Sequence, residues 1–150
     1  MQQKISIFFV LILFSLILSS CKGNTEKYPV GETYQPATNH SSWTKQNQKP
    51  RFSGAHGRFV TVYANDSANQ VKQHGGTYQP GAIILKETFR DSDPAAPVEQ
   101  MFAMEKGAAG SAPKSNDWIW IVTDKSGKIL QSGEDAVLNG NRCARCHAGS

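Results

Sequence analysis

The chain has 150 residues, 16 Lys and Arg against 12 Asp and Glu, a formal charge of +4, and 39% hydrophobic residues. That length suits one domain rather than several. A mild positive charge with no basic stripe and no nucleic-acid motif excludes a nucleic-acid partner, and three cysteines exclude a disulfide-stapled scaffold.

The N-terminus is almost unbroken apolar sequence from Ile5 to Leu18, opened by Lys4. A short positive start and an apolar core too brief for a comfortable membrane span predict a secretory signal over residues 1–20. The run ends in Leu18-Ser19-Ser20-Cys21, which resembles a bacterial lipobox. Cleavage before Cys21 would make it the lipidated first residue of an exported protein, held by acyl chains to a bacterial membrane and facing the periplasm or cell surface. A plain signal peptide with an incidental cysteine is the bland alternative. Removing residues 1–20 takes away Lys4 and no acid, leaving 15 Lys and Arg against 12 Asp and Glu, about +3. Residues 21–40 are polar and carry Gly, Pro, Asn and Thr, so they predict a flexible tether. The domain then spans 41–150.

Arg58 to Ala64 is rich in β-branched and aromatic residues and predicts a first strand. Asp66 or Ser67 would cap a short helix reaching His74 and ended by Gly75-Gly76. A second strand covers Ala82 to Phe89 after Pro80-Gly81, and a third runs from Glu99 to Glu105. Gly107 to Pro113 has a loop composition. Asp117 to Thr123 is the strongest strand, and Asp124-Lys125-Ser126-Gly127 turns it into Lys128 to Ser132, a hairpin. A last helix should start near Gly133-Glu134-Asp135 and lead to the C-terminus. The predicted class is α+β: an antiparallel sheet of four or five strands, a few short helices, and a C-terminal helix.

That helix carries Cys143-Ala144-Arg145-Cys146-His147, the CxxCH sequence that attaches c-type haem. Positions i, i+3 and i+4 share one helical face. Cys143 and Cys146 therefore both reach the two vinyl groups of one porphyrin, and His147 reaches its iron. One motif predicts one haem c, and one iron, per chain. With Cys21 on lipid and two cysteines on haem, none remains for a disulfide. Zinc is the rival for CxxCH, but structural zinc wants four ligands, and His40, His56 or His74 would have to complete the set. A thioredoxin-type dithiol is a further rival, and no βαβ pattern precedes it.

The middle of the chain resembles the cytochrome P-460 family. Ser53 to Asn65 looks like its first strand, Pro80-Gly81-Ala82-Ile83-Ile84-Leu85-Lys86-Glu87 like its glycine-then-lysine-glutamate strand, and Asn116-Asp117-Trp118-Ile119-Trp120 with the terminal CxxCH completes the order. The resemblance covers roughly Trp43 to His147. It implies a five-coordinate haem with His147 as proximal ligand and an open distal side. The family includes hydroxylamine-oxidising cytochromes P-460 and β-sheet cytochromes c′ that bind nitric oxide, so a small nitrogen compound is the implied substrate or ligand. An external redox partner would drain electrons in the oxidising case, and a homodimer stays open. In the oxidases a strand lysine is bonded to the porphyrin edge, and Lys86 matches that position. A lysine between apolar residues also snorkels or pairs with a carboxylate.

No catalytic residue stands out. Strand alternation puts Ile84, Lys86 and Thr88 on one face and Ile83, Leu85, Glu87 and Phe89 on the other. Phe59, Tyr63, Phe102, Trp118 and Trp120 are candidates for the distal wall, against an ordinary reading as sheet core. Arg58 or Glu87 would supply a polar function there, unless each is a solvated edge charge. Met101 or Met104 would serve as sixth ligand in an electron carrier, unless each is core filler. His56 and His74 sit beside glycines and read as solvent-facing loop residues, either being a distal ligand at most.

Overall fold

The computed structural model describes residues 27–138 and 141–147. The lipobox and Cys21 lie outside the described residues, and no helix among those described is long and apolar enough to cross a membrane.

The five predicted strands all form. They are β3 (Arg58–Ala64), β4 (Ile83–Phe89), β5 (Gln100–Lys106), β6 (Trp118–Asp124) and β7 (Ile129–Gly133). Each pairs antiparallel with the next in chain order, as expected of strands joined by short connections. Two short strands, β1 (Thr44–Lys45) and β2 (Arg51–Ser53), extend the sheet beside β3 and bring it to seven strands. Their brevity gives no period-2 signal, which is why sequence pattern does not reveal them.

The β6–β7 turn is fixed by Asp124, whose Oδ1 accepts from the Ser126 and Lys128 amides at 2.8 and 3.0 Å. Gly127 follows at φ +86°, and a Cβ there would stand 2.9 Å from Thr38 Cγ2. The turn thus needs glycine both for its backbone and for the close approach of the helix α1 (Gln35–Asn39).

That approach corrects the expected tether. Residues 27–40 pack onto the sheet instead of hanging free. Tyr34 and Ala37 are 1% and 3% exposed and join Ile83, Leu85, Met101, Ala103, Ile121 and Ile129 in the main core. The Tyr34 amide donates to Gly127 O at 2.9 Å, and Thr33 bridges to Lys128. Polar composition hid two buried anchors of this segment, Tyr34 and Ala37.

The helix α2 (Asp66–His74) ends at Gly75 as predicted, but its cap is Asn65, one residue earlier than expected. Asn65 Oδ1 accepts from the Ala68 amide at 3.0 Å and also from the Ile83 amide at 3.0 Å, which ties the helix start to β4. The last helix is also shorter than expected. Residues after Gly133 turn into a two-stranded ladder, β8 (Val137–Leu138) with β9 (Asn141–Arg142), and α3 spans only Cys143–His147. The helix is attached to the body by the Cys143 amide, which donates to the buried Ala136 carbonyl at 3.0 Å.

Alternation along the strands gives the sheet two unlike faces. The far face carries the row Tyr63, Leu85, Ala103 and Ile121, covered by the segment 27–43. The near face carries two rows in register: Val62, Lys86, Phe102, Val122, and Ala64, Ile84, Met104, Trp120. α3 packs on the second of these rows, its Cys143 and Ala144 lying against the cluster of Met104, Trp118, Trp120 and Ala136.

Candidate functional site

The near face holds a half-open cavity. Its floor is Ile84, Lys86, Phe102, Met104 and Trp120, its walls are α3 and the β2–β3 loop, and Cys143, Cys146, His147 and His56 all line it. The one-turn helix turns i, i+3 and i+4 to the same side, so both thiols and the imidazole meet the same space. The His147 ring lies over Trp120, with centroids 5.2 Å apart.

Lys86 rises from the centre of the floor, between Val62 and Phe102 on the neighbouring strands. Among the described residues no carboxylate or carbonyl pairs with its ammonium. Burial pushes its pKa down, with the Cys143 thiol opposing. Burial likewise pushes the Cys143 thiol up. For His147, burial and then the Lys86 charge push the imidazole down. His56 is shifted most: burial, followed by the charges of Lys86 and His147, lowers it to about 4. A cluster of one amine, two imidazoles and two thiols in an apolar hollow is the pattern of a functional site rather than of a satisfied core.

The five aromatic candidates divide. Phe102 and Trp120 line the cavity. Trp118 is on the same face but packs edge-on against Tyr78, with centroids 5.2 Å apart, away from the cavity. Phe59 and Tyr63 are corrected to the far face, because odd positions of β3 point away from Lys86. Phe59 meets the exposed Phe52, and Tyr63 donates its hydroxyl to Glu87. Glu87 is therefore also outside the cavity: its carboxylate lies 2.8 Å from His40 Nε2, and His40 Nδ1 lies 2.9 Å from Ala37 O. Arg58 is an exposed partner of Glu99 at 2.9 Å. Met101 is far-face core and Met104 is in the cavity floor. His74 ends α2, whereas His56, expected in solvent, is in the cavity. Of the three histidines named as completing a zinc set, His56 alone shares the cavity with Cys143, Cys146 and His147, while His40 and His74 lie elsewhere. Among the described residues no group of three or more His, Cys, Asp or Glu is arranged to hold a metal ion.

A finding of family now joins this geometry: Cytochrome P460 matches residues 31–150. The chain belongs to the cytochrome P460 family. No curated protein matches it. Membership makes it a c-type haem protein, and the near face of this cytochrome fits such a group on its own evidence. Two thiols and an imidazole share one helical face beside an apolar hollow with an unpaired amine. The indole nitrogen of Trp120, on the cavity floor, is buried with no partner among the described residues. Orphaned buried donors are rare in a finished core, and the carboxylates that haem carries are acceptors for donors of this kind.

Proposed function

We propose that this cytochrome P460 is an exported, lipid-anchored protein with one haem c per chain, which binds a small nitrogen species, hydroxylamine or nitric oxide, at an open iron position. Where the ligand is oxidisable, electrons leave to an external redox partner. The observation that carries this reading is the convergence of Cys143, Cys146 and His147 with the unpaired Lys86 on one apolar cavity.

Bound there, haem c supplies an iron with a free coordination position and a reversible one-electron store. The chain's own residues do the rest. Cys143 and Cys146 would hold the group through their thiols, and His147 would ligate its iron. Ile84, Phe102 and Trp120 exclude water, which strengthens every polar interaction in the hollow. Lys86, held without a counter-charge and with a lowered pKa, is the amine suited to the family's attachment at the porphyrin edge. Among the described residues Met104 is the one methionine in the lining, so a six-coordinate electron carrier is the second reading. Residues 1–20 act as the export signal and Cys21 carries the lipid.

The test is the full chain expressed in a host competent for cytochrome c assembly. One covalent haem per chain, high-spin ferric iron, and a haem peptide containing residues 143–147 are expected. Attachment of Lys86 would add its own fragment to that peptide and shift the ferrous Soret band strongly to the red. A low-spin spectrum with a sulfur-to-iron charge-transfer band selects the Met104 reading. Colourless protein, or stoichiometric zinc, refutes both.

A further inference from the structure

We infer that His56 is the residue that hydrogen-bonds a small ligand held at the open iron position, an inference that rests on the haem reading above. The two histidines of the cavity occupy different places on its floor. His147 lies over Trp120, in the row that α3 covers. His56 lies over Phe102, with centroids 5.4 Å apart and the rings tilted by 48°, in the next row along the strands. Two residues of strand separate those rows, roughly 7 Å at about 3.4 Å per residue. The helix and the β2–β3 loop thus bound the cavity at opposite ends, with an imidazole from each.

His56 is held in that place. Ser53 O accepts from the His56 amide at 3.1 Å and from the Gly57 amide at 2.8 Å. Gly57 takes φ +61°, a left-handed conformation that glycine adopts without strain. Ser53 Oγ then bonds His56 Nδ1 at 2.8 Å. With Nδ1 engaged inside the loop, Nε2 is the ring nitrogen left without a partner among the described residues. Phe102 supports the ring from below.

The choice of serine matters. A hydroxyl either donates or accepts by rotating, so the tautomer of His56 is not dictated. Nε2 is able to donate to a lone pair or accept from an N–H or O–H. His40 on the far face is the contrast, with Nδ1 facing a carbonyl and Nε2 a carboxylate, so both nitrogens are already engaged within the protein. Among the described residues no carboxylate lines the cavity. His56 and Lys86 are then the polar side chains available to a ligand once α3 is occupied in holding haem. Ligands of two heavy atoms with a donor, an acceptor or both, such as hydroxylamine and nitric oxide, suit that arrangement.

The test uses full-length holoprotein, wild type, His56→Leu and Ser53→Ala, with carbon monoxide on the ferrous form as infrared probe and nitric oxide for release kinetics. Haem content is measured first in each. The expected result is a C–O stretch shifted to higher wavenumber in His56→Leu and nitric oxide released roughly tenfold faster, equivalent to about 1.4 kcal/mol. Ser53→Ala should give a smaller shift in the same direction, because the imidazole keeps its chemistry and loses its anchor. An unchanged stretch in a fully loaded His56→Leu overturns the inference and leaves the haem reading standing. So does a low-spin ferric wild type that becomes high-spin in His56→Leu, since the imidazole would then be an iron ligand itself. If His56→Leu fails to load, Ser53→Ala decides: an unshifted stretch there also overturns it. Wild type without haem refutes the haem reading, and this inference with it.

Discussion

Glu87→Gln tests the far face, where the N-terminal segment is fastened. Glu87 accepts from His40 Nε2 at 2.8 Å and from Tyr63 Oη at 3.0 Å, and the His40 and Glu87 side chains are 11% and 15% exposed. Both His40 nitrogens face acceptors, and the Glu87 carboxylate takes hydrogen bonds from the ring and from Tyr63. A hydrogen bond to a charged group contributes about 1.5–3 kcal/mol. The small residual exposure admits some screening, which places this pair near 2 kcal/mol. Glutamine conserves volume and one acceptor oxygen, so the loss should come from the charge and one hydrogen bond rather than from a cavity. At about 4 °C per kcal/mol for a domain of this size, the holoprotein should melt about 8 °C lower at pH 7. Burial pushes the Glu87 carboxyl up, but the hydrogen bonds from His40 and Tyr63, with the His40 and Lys45 charges, outweigh it and hold it below its ordinary 4.5. A depressed carboxyl contributes stability above its unfolded pKa, and the contribution is lost as pH falls through the folded value. Thermal melts of wild type and variant should therefore differ fully at pH 7 and converge below pH 4.5. Equal melting at pH 7, or a gap that widens in acid, would refute the stabilising role of the Glu87 carboxylate.

Cys143→Ser with Cys146→Ser should abolish haem that survives denaturing electrophoresis, while either single variant retains part of it by one thioether. Leu85→Ala, at a position 0% exposed between Tyr63 and Ala103, should cost about 3 kcal/mol in chemical denaturation, as expected of an unrelaxed core cavity. Cys21→Ala should move the holoprotein from the membrane fraction to the soluble periplasmic extract if lipid holds it, and an unchanged distribution refutes the lipid anchor.

Much of the sheet is visible in the sequence because period-2 alternation and turn residues are local signals. Arg58 to Ala64 and Asp117 to Thr123 declare themselves as strands, and CxxCH specifies three residues of the site by spacing alone. Alternation also separates Lys86 from Glu87. It does not say which face of β3 joins which face of β4, since that is set by cross-strand register. Phe59 and Tyr63 therefore pass for distal residues until the Val62–Lys86 register sends them to the far face. His56 is lost to the same cause in reverse. Ser53-Gly54-Ala55-His56-Gly57 has the composition of an exposed turn, and only the fold bends that turn back over Phe102. Tyr34 shows the remaining limit: one aromatic in a polar stretch gives no periodicity, yet it is among the most buried side chains described.

The two faces treat buried charge in opposite ways, and the difference separates scaffold from site. On the far face Glu105 accepts from Lys27 at 2.6 Å, Tyr28 at 2.5 Å and Tyr34 at 3.0 Å, while Glu87 accepts from His40 and Tyr63. Every donor but Tyr63 comes from residues 27–40, so these carboxylates fasten that segment across β4 and β5. Such networks are satisfied within the protein and specify a unique packing. On the near face Lys86 Nζ, His56 Nε2 and the Trp120 indole have no partner among the described residues, and the first two are shifted towards their neutral forms. Glu87 follows Lys86 directly, and Glu105 follows Met104, so the strands that carry the open groups are those clamped from behind. A fold that leaves polar groups unsatisfied on one face needs rigidity from the other. The docked segment supplies it, and weakening its attachment by Glu87→Gln should loosen the floor beneath Lys86 as well as lower the melting point.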